Sequence, residues 1–230
     1  MPRRDTDLHA VLQASRRHPA GLGRLILFLS PDSHADAGAV AREVALLAQA
    51  QAKRAVWLID LDPFENAQFE ALQATSAPEH GFGKALDAAL GETSFLRLID
   101  ARSGEVDRRG SRHLLVAHQW GASRLYVTRF RREAIGPGQK VQLLTSDSYW
   151  SRLAQVVDFA MIVAKPPQAL QAGLAIAAHV GACVMVIGPQ TRLQDAQGLR
   201  EAVRQQGGQW AGVVMTQSGG LRGRFGGLAA

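Results

Sequence analysis

Lysine is nearly missing from this chain: Lys53, Lys84, Lys140 and Lys165 are the only four among 230 residues. Cysteine is scarcer still. Cys183 stands alone, which excludes an internal disulfide and points to a reducing cytoplasm. Its apolar setting, ACVMVIG, suits a buried structural thiol rather than a nucleophile. Tyrosine occurs only at Tyr126 and Tyr149. No apolar run reaches the roughly 18–20 residues needed to span a bilayer. The start, MPRRDTDLHAVLQASRRHP, has no continuous apolar segment of the kind a secretion signal carries, so none is expected. No histidine pair has H-x-x-x-H spacing, and without a second cysteine no metal site is expected. A G-x-S-x-G elbow is also lacking, which argues against a hydrolase of that kind.

What is present fits one domain with a sizeable core: 47% of the residues are hydrophobic. The net charge is +6 and the pI about 10.2. Arginine supplies most of the positive charge, and unevenly. Arg97, Arg102, Arg108, Arg109, Arg112 and Arg124 fall in one stretch that continues through Arg129, Arg131 and Arg132. Arg3, Arg4, Arg16 and Arg17 add charge at the start, and Arg222 and Arg224 at the end. Such clusters suit an acidic protein partner, an anionic membrane face or nucleic acid; an ordinary solvated face accounts for them equally. Tyr126 and Phe130 lie among the arginines, a pattern that also serves nucleic-acid binding.

Periodicity organises the rest. Residues 6–17 suit a short amphipathic helix with Leu8, Val11 and Leu12 on one side. Residues 25–30 and 55–60 are apolar throughout, as buried parallel strands are. Between them, Val40, Val44, Leu47 and Ala48 recur at helical spacing. Residues 66–74 and 82–90 are expected to be helical, with Gly91 as the stop of the second. HLLVAHQW and RLYVTRF, joined by Gly-Ala-Ser, form a candidate hairpin. Further on, 148–155, 168–180 and 192–206 read as helices, and VVDFAMIVA, ACVMVIG and WAGVVMT as strands. This alternation predicts an α/β fold, a mostly parallel central sheet with helices on both faces. The expected divisions are an N-terminal helical extension over 1–24, one domain over 25–217 and a Gly-rich tail over 218–230.

The order strand, polar loop, helix, strand, Asp-x-Asp over LILFLSPDSHADAGAVAREVALLAQAQAKRAVWLIDLD, followed by VDFAMIVAKPP and WAGVVMT, resembles the MinD/ParA-type P-loop ATPases. It most resembles the cytoplasmic domain of bacterial exopolysaccharide tyrosine autokinases. Ser30-Pro31 opens the loop, Leu58 to Asp62 closes the second strand, and Asp158-Phe159 and Pro166-Pro167 bracket the third block. The resemblance implies where nucleotide chemistry would reside. In a P-loop, backbone N–H groups wrap the phosphates, a lysine reaches the β/γ-phosphates and a hydroxyl holds magnesium. Here the lysine position is Ala37 and the hydroxyl position Gly38. His34 and Asp36 replace the two loop glycines, with Ser33 beside them. The aspartate expected at the strand end within the third block is Ala164, followed by Lys165. The asparagine expected at the last strand is Thr216. Of the acidic set, Asp60 and Asp62 remain. Asp36, with Asp32 nearby, brings negative charge to a phosphate site, and like charges 4 Å apart repel by about 4 kcal/mol at an effective dielectric near 20.

The resulting expectation is a vestigial pocket of Ser33, His34, Asp36, Ala37, Gly38, Asp60, Asp62, Ala164 and Thr216, with no catalytic residue, cofactor or metal. ATP and magnesium enter only if the loop is divergent but active, with Lys165 as the obvious borrowed cation. The resemblance implies a regulatory or scaffold role in exopolysaccharide synthesis or export. The partner would be a membrane polysaccharide co-polymerase, and the location cytoplasmic or peripheral at the inner membrane. Arg108, Arg109, Arg112, Arg129, Arg131 and Arg132 form the candidate docking surface. Binding of DNA or anionic lipid is the alternative use of the same charge. Autophosphorylation of a tyrosine-rich tail is not expected, because the tail holds no tyrosine.

Overall fold

The computed structural model describes residues 8–13, 21–75, 81–91, 93–145, 147–167 and 169–216. The tail 218–230 and the arginines at 3, 4, 16, 17, 222 and 224 lie outside them, as does part of the helix expected over 6–17. Its described turns, 8–13 (α1), bury Leu8, Val11 and Leu12 in the core.

The apolar runs do become strands of one sheet. β1 (Arg24–Leu29), β2 (Ala55–Asp60), β9 (Val157–Ala164), β10 (Ala182–Ile187) and β11 (Trp210–Met215) all run parallel, in the order β11-β10-β1-β9-β2. β7 (Leu125–Phe130) continues the parallel set beside β2. The expected hairpin is present: β6 (Leu115–Trp120) pairs antiparallel with β7. Alternation along each strand sends side chains to opposite faces. Leu25, Leu27 and Leu29 of β1 enter one core cluster, while Ile26 and Phe28 enter the other.

Helices cover both clusters. On one face α2 (Ala37–Gln51) buries Ala37, Val40, Ala41, Val44, Ala45 and Ala48, a stripe at helical spacing. α3 (Ala67–Thr75) adds Leu72. The other face takes Tyr149, Trp150 and Leu153 from α5 (Asp147–Val156), Ile176 from α6 (Leu170–Ile176), and Leu199 and Val203 from α7 (Leu193–Gln205). Trp57 and Trp150 are core residues, and so is Cys183, as expected. Burial pushes the Cys183 thiol up to about 12, which makes it inert at neutral pH.

One expected helix is a strand. Residues 82–90 contain β3 (Phe82–Asp87), which pairs antiparallel with β6 at the sheet edge. The apolar residues there do not share one buried face: Ala85 is exposed and Leu86 half-exposed, while Phe82 and Ala88 pack on opposite core clusters. The free edge of β6 offered backbone partners instead. Phe82 stacks on Phe69 with ring centroids 4.3 Å apart, which anchors the strand start. Gly91 does have a positive φ of 71°, but in the turn closed by Leu90 and Thr93 rather than at a helix end.

The stretch 95–145 supplies elements that periodicity did not reveal. β4 (Leu96–Asp100), β5 (Val106–Asp107) and β8 (Gln139–Leu143) make a second, three-stranded antiparallel sheet. The short helix α4 (Arg108–His113) follows β5 and is capped by Asp107, whose carboxylate accepts from the N–H of Gly110 at 2.8 Å. Among the described residues no helix is long and apolar enough to cross a membrane.

Candidate functional site

Three parallel strands deliver their C-terminal ends to one edge of the sheet, where open α/β sheets hold ligands. Ser30 follows β1, Asp62 follows β2, and Lys165 follows β9. Together with the loop before α2 they enclose a cavity of about 430 Å³. Asp32, Ser33, Ala35 and Asp36 line it from that loop, Glu65 from the turn after β2, and Pro166 and Pro167 from beyond β9.

The loop is held by its own carboxylates. Asp32 accepts from the N–H of His34 at 2.8 Å. Asp36 is the N-cap of α2: its Oδ1 accepts from the N–H of Ala39 at 3.0 Å, and its carbonyl accepts the first helical bond from Val40. The free N–H groups and dipole of a helix start attract anions. Here the anion is a side chain of the protein itself. Arg42, in the second turn of α2, lies 4.0 Å from Asp36 and donates to Oε1 of Gln68 at 2.7 Å.

Asp60 sits behind the cavity, almost fully buried. Burial pushes its carboxyl up to about 6; the N–H of Asp62 pulls the other way, the charge of Asp62 adds to the rise, and Gln68 N–H and Lys165 oppose it. The distances are 3.0 Å from Asp62 N and 3.4 Å from Gln68 N. Asp62 in turn accepts from the N–H of Phe64 at 2.8 Å. Both carboxylates therefore shape the turn after β2.

The residues expected to outline the pocket divide into two groups. Ser33, Asp36 and Asp62 line the cavity. Ala37 and Ala164 are fully buried in the two core clusters, and Asp60 lies just beneath the lining. At Gly38 a Cβ would come within 2.2 Å of Nε2 of Gln68, so a hydroxyl side chain there requires Gln68, itself fully buried, to move. Ala164 packs under α6, where a Cβ on Gly173 would lie 2.5 Å from its own. His34 is exposed, and Thr216 closes back on β10, its N–H donating to the Ile187 carbonyl at 2.8 Å. Sequence reasoning missed Glu65 and the part Ser30 plays in the lining. The turn signal D-P-F-E-N after Asp60 was the available clue to Glu65. Asn66, at the end of that turn, has φ 52° and clasps Phe130 by two bonds: it donates to the carbonyl at 3.0 Å and accepts from the N–H at 2.6 Å. Asp158, matched only as part of the motif frame, accepts from the backbone N–H groups of Lys53 and Arg54 and from Nε of Arg54.

Against this geometry, comparison with known proteins is informative at the level of structure only. No protein-family model and no curated sequence matches the chain. Solved structures do. The kinase domain of the Escherichia coli tyrosine kinase ETK superposes with TM-score 0.57 at 14% identity, over 96% of this chain and 80% of that one. The VpsO kinase domain gives 0.52 at 17% identity, over 94% and 96%. The BceF tyrosine kinase domain gives 0.52 at 14%, over 94% and 74%. The chain has the fold of these bacterial tyrosine kinase domains. That fold is built here on the mostly parallel central sheet described above. In the kinase-type frame, the cavity described above occupies the strand-end position where ligands of open α/β sheets are held.

The arginines lie apart from that cavity's lining. Arg108, Arg109 and Arg112 are on α4, Arg129 is on β7, and Arg131 and Arg132 follow it. Arg108 and Arg112 line a second cavity of about 530 Å³ together with Arg97, over Leu96, Val106 and Leu144. Arg129 and Arg131 both donate to Glu133, at 3.0 and 3.4 Å, and their positive charge is partly offset there.

Proposed function

We propose that the protein is a non-catalytic member of this kinase-type fold, a pseudo-ATPase that works through protein contacts. One observation carries the reading: the carboxylate of Asp36 caps α2 at the position where a P-loop fold would present free N–H groups to a phosphate. The supporting arguments are the acidic lining of the cavity, the absence of a lysine at Ala37, and Gln68 pressing on Gly38. Magnesium has no hydroxyl at that position to bind. The resemblance to exopolysaccharide tyrosine autokinases suggests the process, assembly or export of a polysaccharide such as a capsule or holdfast. It also suggests the partner, a membrane polysaccharide co-polymerase, with the protein in the cytoplasm or peripheral at the inner membrane. The arginines of α4 and of the segment after β7 are the proposed docking face.

Isothermal titration of the full chain with ATP or ADP in millimolar magnesium is the test. No saturable heat is expected, and micromolar binding would sink the reading. Lys165 supports a second reading, because it lines the same cavity and is the one basic residue among the described residues of that lining. If it replaces the P-loop lysine, phosphate release is measurable and Lys165→Ala abolishes it. The basic surface supports a third: salt-dependent retention on DNA or anionic vesicles, lost when Arg129, Arg131 and Arg132 are neutralised.

A further inference from the structure

We infer that the cavity at the ends of β1, β2 and β9 binds an organic cation, a guanidinium group. The inference rests on the reading that this cavity does not take nucleotide. Four acidic residues, Asp32, Asp36, Asp62 and Glu65, line it, and Lys165 is the single basic residue among the described residues of the lining. Arg42 offsets part of the charge of Asp36 from 4.0 Å.

A second observation is independent of the charge. Ser30 is fully buried, lines the same cavity, and its Oγ has no hydrogen-bond partner among the described residues. Oδ2 of Asp32 is buried and unpartnered in the same way, although its Oδ1 is used by His34. Buried polar atoms are rarely left unpaired, because they have given up water for nothing. Two such oxygens at one cavity call for a donor.

The arrangement selects the kind of cation. Among the described residues, no three acidic, histidine or cysteine side chains come together to hold a metal ion. The acids thus do not converge as a metal site would, and the space they line is about 430 Å³. A guanidinium suits that arrangement, since its five N–H donors fan out in a plane and it sheds water more readily than an ammonium. The group can arrive on an arginine side chain of a partner protein or on a free small molecule, and the two sources are separable.

Agmatine, an acetylated and amidated Gly-Arg-Gly peptide, and Mg-ATP are each titrated calorimetrically into the full chain. Saturable binding of either guanidinium probe is expected. A preference for the peptide assigns the source to a protein partner, and a preference for agmatine to a small molecule. Asp32→Asn and Glu65→Gln are each expected to weaken binding by about tenfold, as loss of one charge-assisted contact does. Ser30→Ala should weaken it less. Thermal unfolding of each variant separates lost binding from lost folding, and Asp195→Asn on α7 is the control that should change nothing. Silence with both guanidinium probes, or binding indifferent to Asp32→Asn and Glu65→Gln, overturns the inference while leaving the non-nucleotide reading in place. Binding of Mg-ATP overturns both.

Discussion

The two cavities of this protein differ in charge and in how they are built. The one at the strand ends is acidic, and it is lined by residues that follow three buried parallel strands. The other is arginine-lined, and it is made by a small antiparallel sheet and a six-residue helix. The first occupies a position dictated by sheet topology, so its place is fixed whatever side chains line it. The second depends on local turns and caps such as Asp107 on Gly110. A fold can thus fix a site's location independently of the charge its side chains present. A peripheral element can collect the opposite charge without disturbing the core.

The sharpest way to break this contrast is to put the missing acid back. Ala164→Asp forces a carboxylate into the core beneath Gly173 instead of into the cavity. A loss on the order of 3–5 kcal/mol is expected in chemical denaturation, because a buried charge would have no partner. A variant as stable as the parent would show that this position does open to the cavity.

Asp60 gives the next effect, through pH. Its carboxyl titrates near 6 in the folded protein, against a reference of 3.8. Between about pH 4 and pH 6 the folded state therefore holds a proton that the unfolded state has released. This contribution is greatest at the acid end of that window and is lost as pH rises through it, by on the order of 3 kcal/mol for a gap of roughly two units. Asp60→Asn should flatten that part of the stability profile and raise stability at neutral pH. An unchanged slope in denaturant titrations at pH 5 and 7 would mean Asp60 is not the group responsible.

Asn66 joins the two regions, since the turn that contributes Glu65 to the acidic cavity ends at its clasp on Phe130, between Arg129 and Arg131. Asn66→Ala loses both bonds and strains a positive φ, for a cost of about 2 kcal/mol. Asn66→Gly keeps the backbone and loses only the bonds, so it should fall between. At the loop, Asp36→Ala removes the cap of α2 at a cost of about 1 kcal/mol, while Asp36→Asn keeps the acceptor and should be nearly neutral. Thermal melts order all four variants. The smallest change is expected in the basic region: Glu133→Gln releases the exposed partner of Arg129 and Arg131 and should alter stability by less than about 0.5 kcal/mol. Its stronger readout is tighter binding of an anionic vesicle or DNA, if that face serves such a partner.

The strands and most helices were legible because buried parallel strands are continuous apolar runs and surface helices carry a stripe at a fixed spacing. Residues 25–30, 55–60 and 182–187 read that way, as did the stripe from Val40 to Ala48. Residues 82–90 misled because their apolar residues share no single buried face; an edge strand answers to its neighbour's backbone, and the partner lies about thirty to forty positions away at β6. The small sheet was hidden for a similar reason. Its strands are short, and β4 meets β8 only after the intervening helix and hairpin have been placed.

By itself, then, the sequence determined the order of elements, the parallel core and the residue types of the loop before α2, Ala37 and Gly38 among them. Those follow from local periodicity and from residue identity, which need no knowledge of distant partners. Only the tertiary structure decided which of the substituted positions face the cavity and which face the core. It turned Ala164 inward and Lys165 outward, made Asp36 a helix cap, and brought Glu65 and Ser30 to the same space. Side-chain direction at a strand end or a helix start depends on register, capping and what packs against it, and these are fixed by contacts between segments far apart in the chain.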